Sequence, residues 1–337
     1  NGVLQDVSER GLAPLVMADD LNGTFGNSTV GEVKRVSQSL YLAPGENLIE
    51  VVAYNAAGLI ASAPLTFNVI LDEPEITDPK LYVLSVGVND YLDSRLNLTY
   101  AAPDARAIGK ALKAAGKEIY SDIIVETMLD KDVTKKNLEA AFERLEDQVR
   151  PGDVFVFFVA GHGKTEDGRY YFIPHDFRYS DESSFKTHGI GQSILQEWFA
   201  KVRAQKSVLL FDTCQSGTLT QEPVQRGTEE LAAISRLNRA IGRTTLTAST
   251  DTAPALEGYR GHGLFTYTLL DAIAAADNDQ DSAVDVTELA SYIDRRLPEY
   301  SEAAFGYTQV PQMKVVGNTF PLALATVVLS DKPTQVI

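Results

Sequence analysis

Two residues of this sequence could act together on a carbonyl carbon. Cys214, the single cysteine of 337 residues, follows the apolar run Val208–Phe211 and sits where that run breaks into Gln215-Ser216-Gly217. His162 follows the apolar run Val154–Ala160 and stands between Gly161 and Gly163. A thiol is a poor nucleophile until it loses its proton, and an imidazole is the usual base for that step. The same imidazole can then protonate a leaving amine. Alone, each residue has an ordinary explanation. A lone cysteine after a strand is most often a small buried hydrophobe, and a lone histidine a satisfied surface or core residue. Together, each at a strand end and near glycine, they point to thiol–imidazole chemistry.

That chemistry needs both residues at one edge of one sheet. Runs such as Val154–Ala160 and Val208–Phe211 read as strands buried on both faces, the signature of a parallel sheet. If they are neighbours, both residues lie at the carboxyl edge, where open α/β sheets hold ligands. The surrounding pattern agrees. Strands are expected over 81–88, 122–129, 154–160, 208–211, 244–249 and 312–316, with a short extended piece at 170–174. Helices are expected over 101–115, 134–149, 194–202, 263–276 and 286–297, with Thr134 and Gly116 as end signals. A further helix is expected near 229–240. Strand–helix alternation of this kind implies right-handed βαβ units.

Residues 1–71 read differently. Asn22-Gly23, Gly26-Asn27 and Pro44-Gly45-Glu46-Asn47 punctuate short strands, and the strand 47–54 turns at Asn55–Gly58 into a partner over 65–70. A small immunoglobulin-like sandwich is expected there, a spacer or a docking module for a protein partner. The linker 72–80 is acidic and holds two prolines. The α/β domain then spans 81–320, in a larger part (81–217), a polar linker (218–243) and a smaller part (244–320). Residues 321–337 receive no assignment. Asn1-Gly2 reads like the middle of a hairpin, so the chain is expected to be a piece of a longer one.

Composition narrows the partners. The net charge is −16 and the pI about 4.7, and no long basic run occurs, which argues against nucleic acid and anionic membranes. The longest apolar runs, 154–160 and 322–329, are too short to span a bilayer. One cysteine excludes an internal disulfide. A soluble protein, cytoplasmic on balance, is the expectation.

The frame Asp212-Thr213-Cys214-Gln215-Ser216-Gly217, with a histidine about fifty residues upstream, resembles the caspase-like cysteine peptidases. Its Asp-x-Cys-x-Ser-Gly form is more similar to metacaspases and their bacterial relatives than to animal caspases. The resemblance covers residues 81–316, roughly two-thirds of the chain; Phe265-Thr-Tyr and Gln309-Val-Pro-Gln carry it, less specifically, into the smaller part. It implies a caspase-like, mainly parallel sheet flanked by helices, a catalytic His162–Cys214 pair, and an oxyanion hole from the backbone N–H groups of Gly163 and Cys214. It requires no cofactor. His175, His188 and His262 are alternative bases, but none stands after a strand in a Gly-x-Gly frame.

Two acids bear on specificity. Asp212 lies two positions before Cys214, and Asp104 in the first turn of the helix after the first strand. They could be no more than a turn acid and a helix-dipole carboxylate. In metacaspases, which this sequence resembles at both positions, such acids line a pocket for a basic residue. A protein or peptide substrate with Arg or Lys at the cleavage point is therefore expected. Arg226 in the polar linker is the expected self-cleavage point.

Asp277, Asp279, Asp281, Asp285 and Glu288 fall at positions 1, 3, 5, 9 and 12 of a loop between two helices, as in an EF-hand. Ser282 replaces the glycine at position 6. Calcium binding and a plain acidic helix–turn–helix capped by Asp285 fit the sequence equally. A second calcium site known in some metacaspases is not expected: Asp176 matches, but Gly191-Gln192 stands in place of an acidic pair. The reading from a different class is a catalytically silent caspase-like scaffold, and a third is another peptidase of the same clan with different specificity. An intact Cys–His pair argues against the scaffold.

Overall fold

The computed structural model describes residues 13–15, 33–35, 40, 42, 44–53, 62–72, 78–181, 183–215, 232–233, 235, 237–238, 243–248, 256, 258–315 and 317–325. The early residues form β1 (Ala13–Leu15) with β2 (Val33–Arg35), and β3 (Gly45–Val51) with β4 (Leu65–Leu71), two separate antiparallel pairs. Leu48, Val51, Leu65, Phe67 and Ile70 on the second pair are exposed. Among the described residues these pairs assemble no two-sheet sandwich. The turns at 1–2, 22–27 and 55–58, the prolines' linker at 73–77, the unassigned tail beyond 325 and most of the expected helix at 229–240 lie outside the described residues.

From Lys80 onward the expected alternation is present. The strands are β5 (Lys80–Gly87), β6 (Asp122–Leu129), β7 (Val154–Glu166), β8 (Arg169–Phe172), β9 (Ile190–Gly191), β10 (Lys206–Gln215), β11 (Thr244–Thr247), β12 (Ala283–Asp285), β13 (Gln312–Lys314) and β14 (Pro321–Leu324). The helices are α1 (Ala101–Ala115), α2 (Lys135–Gln148), α3 (Ser183–His188), α4 (Gln192–Lys201), α5 (Leu264–Ala275) and α6 (Val286–Phe305). One sheet has the order β13-β11-β10-β7-β5-β6. The strands from β11 to β6 run parallel and β13 antiparallel, while β8 returns along the end of β7 as a hairpin.

Alternation along the central strands builds two cores. Phe155, Phe157, Val159 and Phe211 point to one side, where Phe142 of α2 and Trp198 and Phe199 of α4 cover them. Val154, Val156, Phe158, Val208 and Leu210 point to the other, beneath α1, α5 and α6. A parallel sheet buried on both faces leaves its strand ends as the place where polar groups can meet.

Several elements depart from expectation. The histidine strand continues six residues past Ala160, because its end pairs with β8. The last helix was expected to stop at Leu297, before Pro298; it continues to Phe305 and ends at Gly306 in the left-handed region. Later contacts hold that extension: Tyr300 Oη donates to Asp271 Oδ2 at 2.6 Å, and the buried Ser301 Oγ accepts from Gln309 N at 2.8 Å. The short α3, β9 and β14 were not anticipated. β14 pairs with β12.

Arg243 was placed in the polar linker but is fully buried. Its guanidinium donates to the carbonyls of Phe199 (2.7 Å), Val202 (2.5 Å) and Ala204 (3.0 Å), and to Ser207 Oγ. Burial lowers its pKa to about 9, so it stays cationic at neutral pH, facing the carboxyl end of α4. Arg243→Ala strands these carbonyls without donors. It should cost about 3 kcal/mol or more in denaturant unfolding; an unchanged midpoint would contradict this anchoring role.

Candidate active site

β7 and β10 are adjacent, parallel and in register from Lys206↔Val154 to Gln215↔Gly163. Within that ladder Cys214 and His162 are direct Cα partners. The backbone therefore sets the two residues side by side at the carboxyl edge of the sheet.

The histidine is held from every side. Its backbone N–H donates to Tyr91 Oη at 2.9 Å and its carbonyl accepts from Ile173 N at 3.0 Å. The imidazole lies 5.2 Å from the Tyr91 ring, and Nε2 meets the Leu96 carbonyl at 2.8 Å. A carbonyl only accepts, so Nε2 carries the hydrogen and Nδ1 of the neutral ring keeps a lone pair. Nδ1 is buried and has no hydrogen-bond partner among the described residues. Burial also pushes the His162 pKa below its ordinary value, with the Leu96 bond opposing. A neutral imidazole with an uncommitted lone pair is equipped to act as a base.

Leu96 and Tyr91 belong to the loop between β5 and α1, itself fixed by polar side chains. Asp130 Oδ1 accepts from the backbone N–H of Asn89 (2.8 Å) and Asp90 (3.0 Å), Asn97 Oδ1 from Tyr91 N (2.9 Å), and Asn89 Oδ1 from Ala102 N at the start of α1 (2.8 Å). Gly161 adopts a φ of 153°, and a Cβ there would sit 2.9 Å from Tyr91 Oη, so glycine is required just before the histidine. Gly163 is crowded too: a Cβ there would lie 2.8 Å from the Tyr170 ring and 3.2 Å from Thr213 Oγ1.

The family model for the caspase domain matches residues 80–322. The chain belongs to the caspase-domain family. Membership points to cysteine peptidases in general and accounts for the mainly parallel sheet. A solved structure of protein GSU0716 from Geobacter sulfurreducens is similar at 18% identity and a TM-score of 0.50, covering 74% of this chain and 100% of that one; it supports the fold. A search of curated proteins found no match. Among the described residues no helix is long and apolar enough to cross a membrane.

In this caspase domain the two predicted acids come together. Asp104 (α1) and Asp212 (β10) are buried, and both reach Gly263 at the start of α5: a Cβ there would lie 3.0 Å from Asp104 Oδ2 and 3.1 Å from Asp212 Oδ2. Asp104 Oδ2 accepts from Gly263 N at 2.9 Å, and Oδ1 contacts His262 Nδ1 at 2.5 Å. Asp212 Oδ2 accepts from Thr266 Oγ1 at 2.6 Å. Gly263 and Thr266 went unnoticed as site residues and His262 was considered only as a base, since nothing in their types or spacing links them to acids fifty or more positions upstream. His175 donates its Nδ1–H to the Asp90 carbonyl (2.5 Å) and His188 ends α3. Neither shares the register position of Cys214.

The acidic loop is gathered only in part. Oxygens of Asp277, Asp279 and Asp281 lie within 4.8 Å of one another. Asp285 and Glu288 instead form a capping box at the start of α6, with Glu288 also accepting from Asn278 N at 2.7 Å. Ser282 takes the left-handed conformation, φ 75°, that the missing glycine would favour. Arg226 lies outside the described residues. A cavity of about 530 Å³ beside Asp167, Arg169, Tyr171 and Lys186 includes none of the predicted site residues.

Burial raises the Asp212 pKa from 3.8 to about 6. In the unfolded chain this acid ionises near its ordinary value, whereas the folded protein keeps the proton until about pH 6. Folding is therefore penalised progressively as pH rises through that window, and the penalty is complete above it. Asp212→Asn should stabilise the protein by ~2–3 kcal/mol at pH 7.5 and by little at pH 4. Melting curves across this range check the prediction; parallel profiles for the two proteins would contradict it.

Proposed function

We propose that this chain is a cysteine endopeptidase that uses Cys214 as nucleophile and His162 as base and cleaves after Arg or Lys. The observation that carries the reading is the Cα pairing of Cys214 with His162 across neighbouring parallel strands. In this mechanism Nδ1 of His162 takes the thiol proton and the thiolate adds to the scissile carbonyl. Backbone N–H groups of Gly163 and Cys214 receive the oxyanion. His162 then passes the proton to the leaving amine, and water, deprotonated by the same imidazole, hydrolyses the thioester to release the acid and regenerate the thiol.

Basic specificity is supported by Asp104 and Asp212, whose carboxylates converge on Gly263. A cation entering a dry pocket needs compensating charge, and a guanidinium can meet two carboxylates at once. Residues 1–71 would serve as an immunoglobulin-like spacer or docking module for a protein partner, and cleavage at Arg226-Gly227 would process the linker. A cytoplasmic setting completes the reading.

Cys214→Ala and His162→Ala should each abolish hydrolysis of peptidyl-arginyl amides while the melting temperature stays within a few degrees. Full activity in either variant would exclude the pair, and faster hydrolysis after aspartate than after arginine would exclude the basic pocket. Intact chain in an active preparation, read by mass spectrometry, would exclude obligatory processing.

Calcium at Asp277, Asp279 and Asp281 is the remaining part of the reading. Three clustered carboxylates suit a hard cation, but Glu288 would have to leave its backbone partners to join them. Weak binding is expected, on the order of 10⁻⁴ M or poorer. Calorimetry should show one site, lost in Asp277→Ala; no heat at millimolar calcium would refute it.

A further inference from the structure

The acid pair is closed by a turn from the smaller part of the domain. Gly258 N donates to the His262 carbonyl at 3.0 Å and His262 N to the Tyr259 carbonyl at 3.1 Å, with Arg260 (φ 51°) and Gly261 (φ 87°) at the tip. Positive φ at both central residues gives a tight turn. It rests on an aromatic ledge: the Tyr259 ring lies 4.8 Å from Tyr267 of α5 and 5.9 Å from Tyr300 of α6, and Arg260 donates to Tyr267 Oη at 3.0 Å. The turn therefore delivers His262 and Gly263 in a set geometry. They grip one carboxylate from both sides, His262 Nδ1 on Asp104 Oδ1 and Gly263 N on Oδ2. The Asp104 side chain is 2% exposed and that of His262 26%, so the imidazole forms the solvent side of this clamp.

We infer that His262 is a positioning residue for the substrate's basic side chain, acting through Asp104. The inference rests on the reading of Asp104 and Asp212 as the specificity pocket. Asp104 comes from α1, ahead of Cys214 in the chain, and His262 from the turn before α5, beyond the polar linker. Their contact thus joins the two parts of the domain at the acids. A carboxylate carried on two rotatable bonds can present its remaining lone pairs to a guanidinium in many directions. The clamp selects one, and a fork-shaped donor set depends on that selection. With the imidazole gone, Oδ1 loses that hydrogen bond and the carboxylate is held less firmly.

The test compares wild type with His262→Ala and His262→Asn, the amide nitrogen of Asn standing about where Nδ1 of histidine stands. For a peptidyl-arginyl amide, His262→Ala should raise KM about tenfold, with kcat changing much less. His262→Asn should recover most of the loss. Binding of benzamidine, followed by calorimetry, should show the same order without depending on turnover, with Asp212→Asn as the control that removes a pocket acid. If wild type prefers arginine and binds benzamidine but His262→Ala matches it in both, the positioning role is overturned while the pocket stands. If wild type neither prefers arginine nor binds benzamidine, the pocket itself is overturned and the inference falls with it. A loss confined to kcat, or one that Asn does not repair while the fold is intact, also counts against it.

Discussion

The register of one parallel ladder governs this molecule. From Lys206↔Val154 to Gln215↔Gly163, β10 and β7 stay in step, and only that alignment places Cys214 beside His162. A slip of one residue would set the cysteine beside a glycine and turn every apolar side chain of β10 to the wrong face. The cores forbid the slip. Phe157 and Phe211 meet at 5.9 Å on one side of the sheet, while Val156, Phe158, Val208 and Leu210 fill the other. Each strand thus carries a packing code for the residue at its end, and a large-to-small change in either core would act on the site through register.

The imidazole answers to a second constraint, independent of the ladder. Its backbone belongs to β7, but its tautomer is selected by the Leu96 carbonyl, in a loop held by Asn89, Asn97 and Asp130. The nitrogen left without a partner among the described residues is the one a base needs. An unpaired buried acceptor costs stability, and such costs persist where chemistry uses them. Asn89, one of the side chains that hold the loop, also accepts from Ala102 N at the start of α1, and α1 carries Asp104. Orientation of the His162 ring and placement of Asp104 therefore share one scaffold.

Much of this was legible in the sequence, for physical reasons. His162 and Cys214 stood out because buried parallel strands are continuous apolar runs, and a cysteine and a histidine at the ends of two such runs together fit chemistry better than either alone. Asp104 and Asp212 were legible by resemblance, and the structure supplies their convergence. Gly161 was visible as a residue, but the Tyr91 hydroxyl that would crowd a Cβ there lies seventy positions away. The Leu96 carbonyl left no trace, because a backbone acceptor is the same in every residue type. His262 was visible only as a rejected base, since its contact with Asp104 spans 158 positions. Helix α6 outran its expected end because proline tells where a hydrogen bond is lost, not whether later contacts make up for it.

The acid pair shows how such a site is tolerated. Asp212 is held where burial disfavours its charge, and the hydrogen bonds that the described residues show to it come from one residue, Thr266, through its hydroxyl and its backbone N–H. Asp104 is better supplied, with a backbone N–H and an imidazole. A domain selected for stability alone would do better with an amide at 212. In the proposed complex, the arriving guanidinium supplies the charge that the fold withholds, so part of the binding free energy is relief of a penalty present before binding. The proposed specificity would follow from the same asymmetry. An aspartate side chain would bring a third negative charge to a place already short of positive ones, and like-charge juxtaposition of that kind costs several kcal/mol. In the proposed reading, discrimination arises less from contacts made to arginine than from a site left electrostatically incomplete.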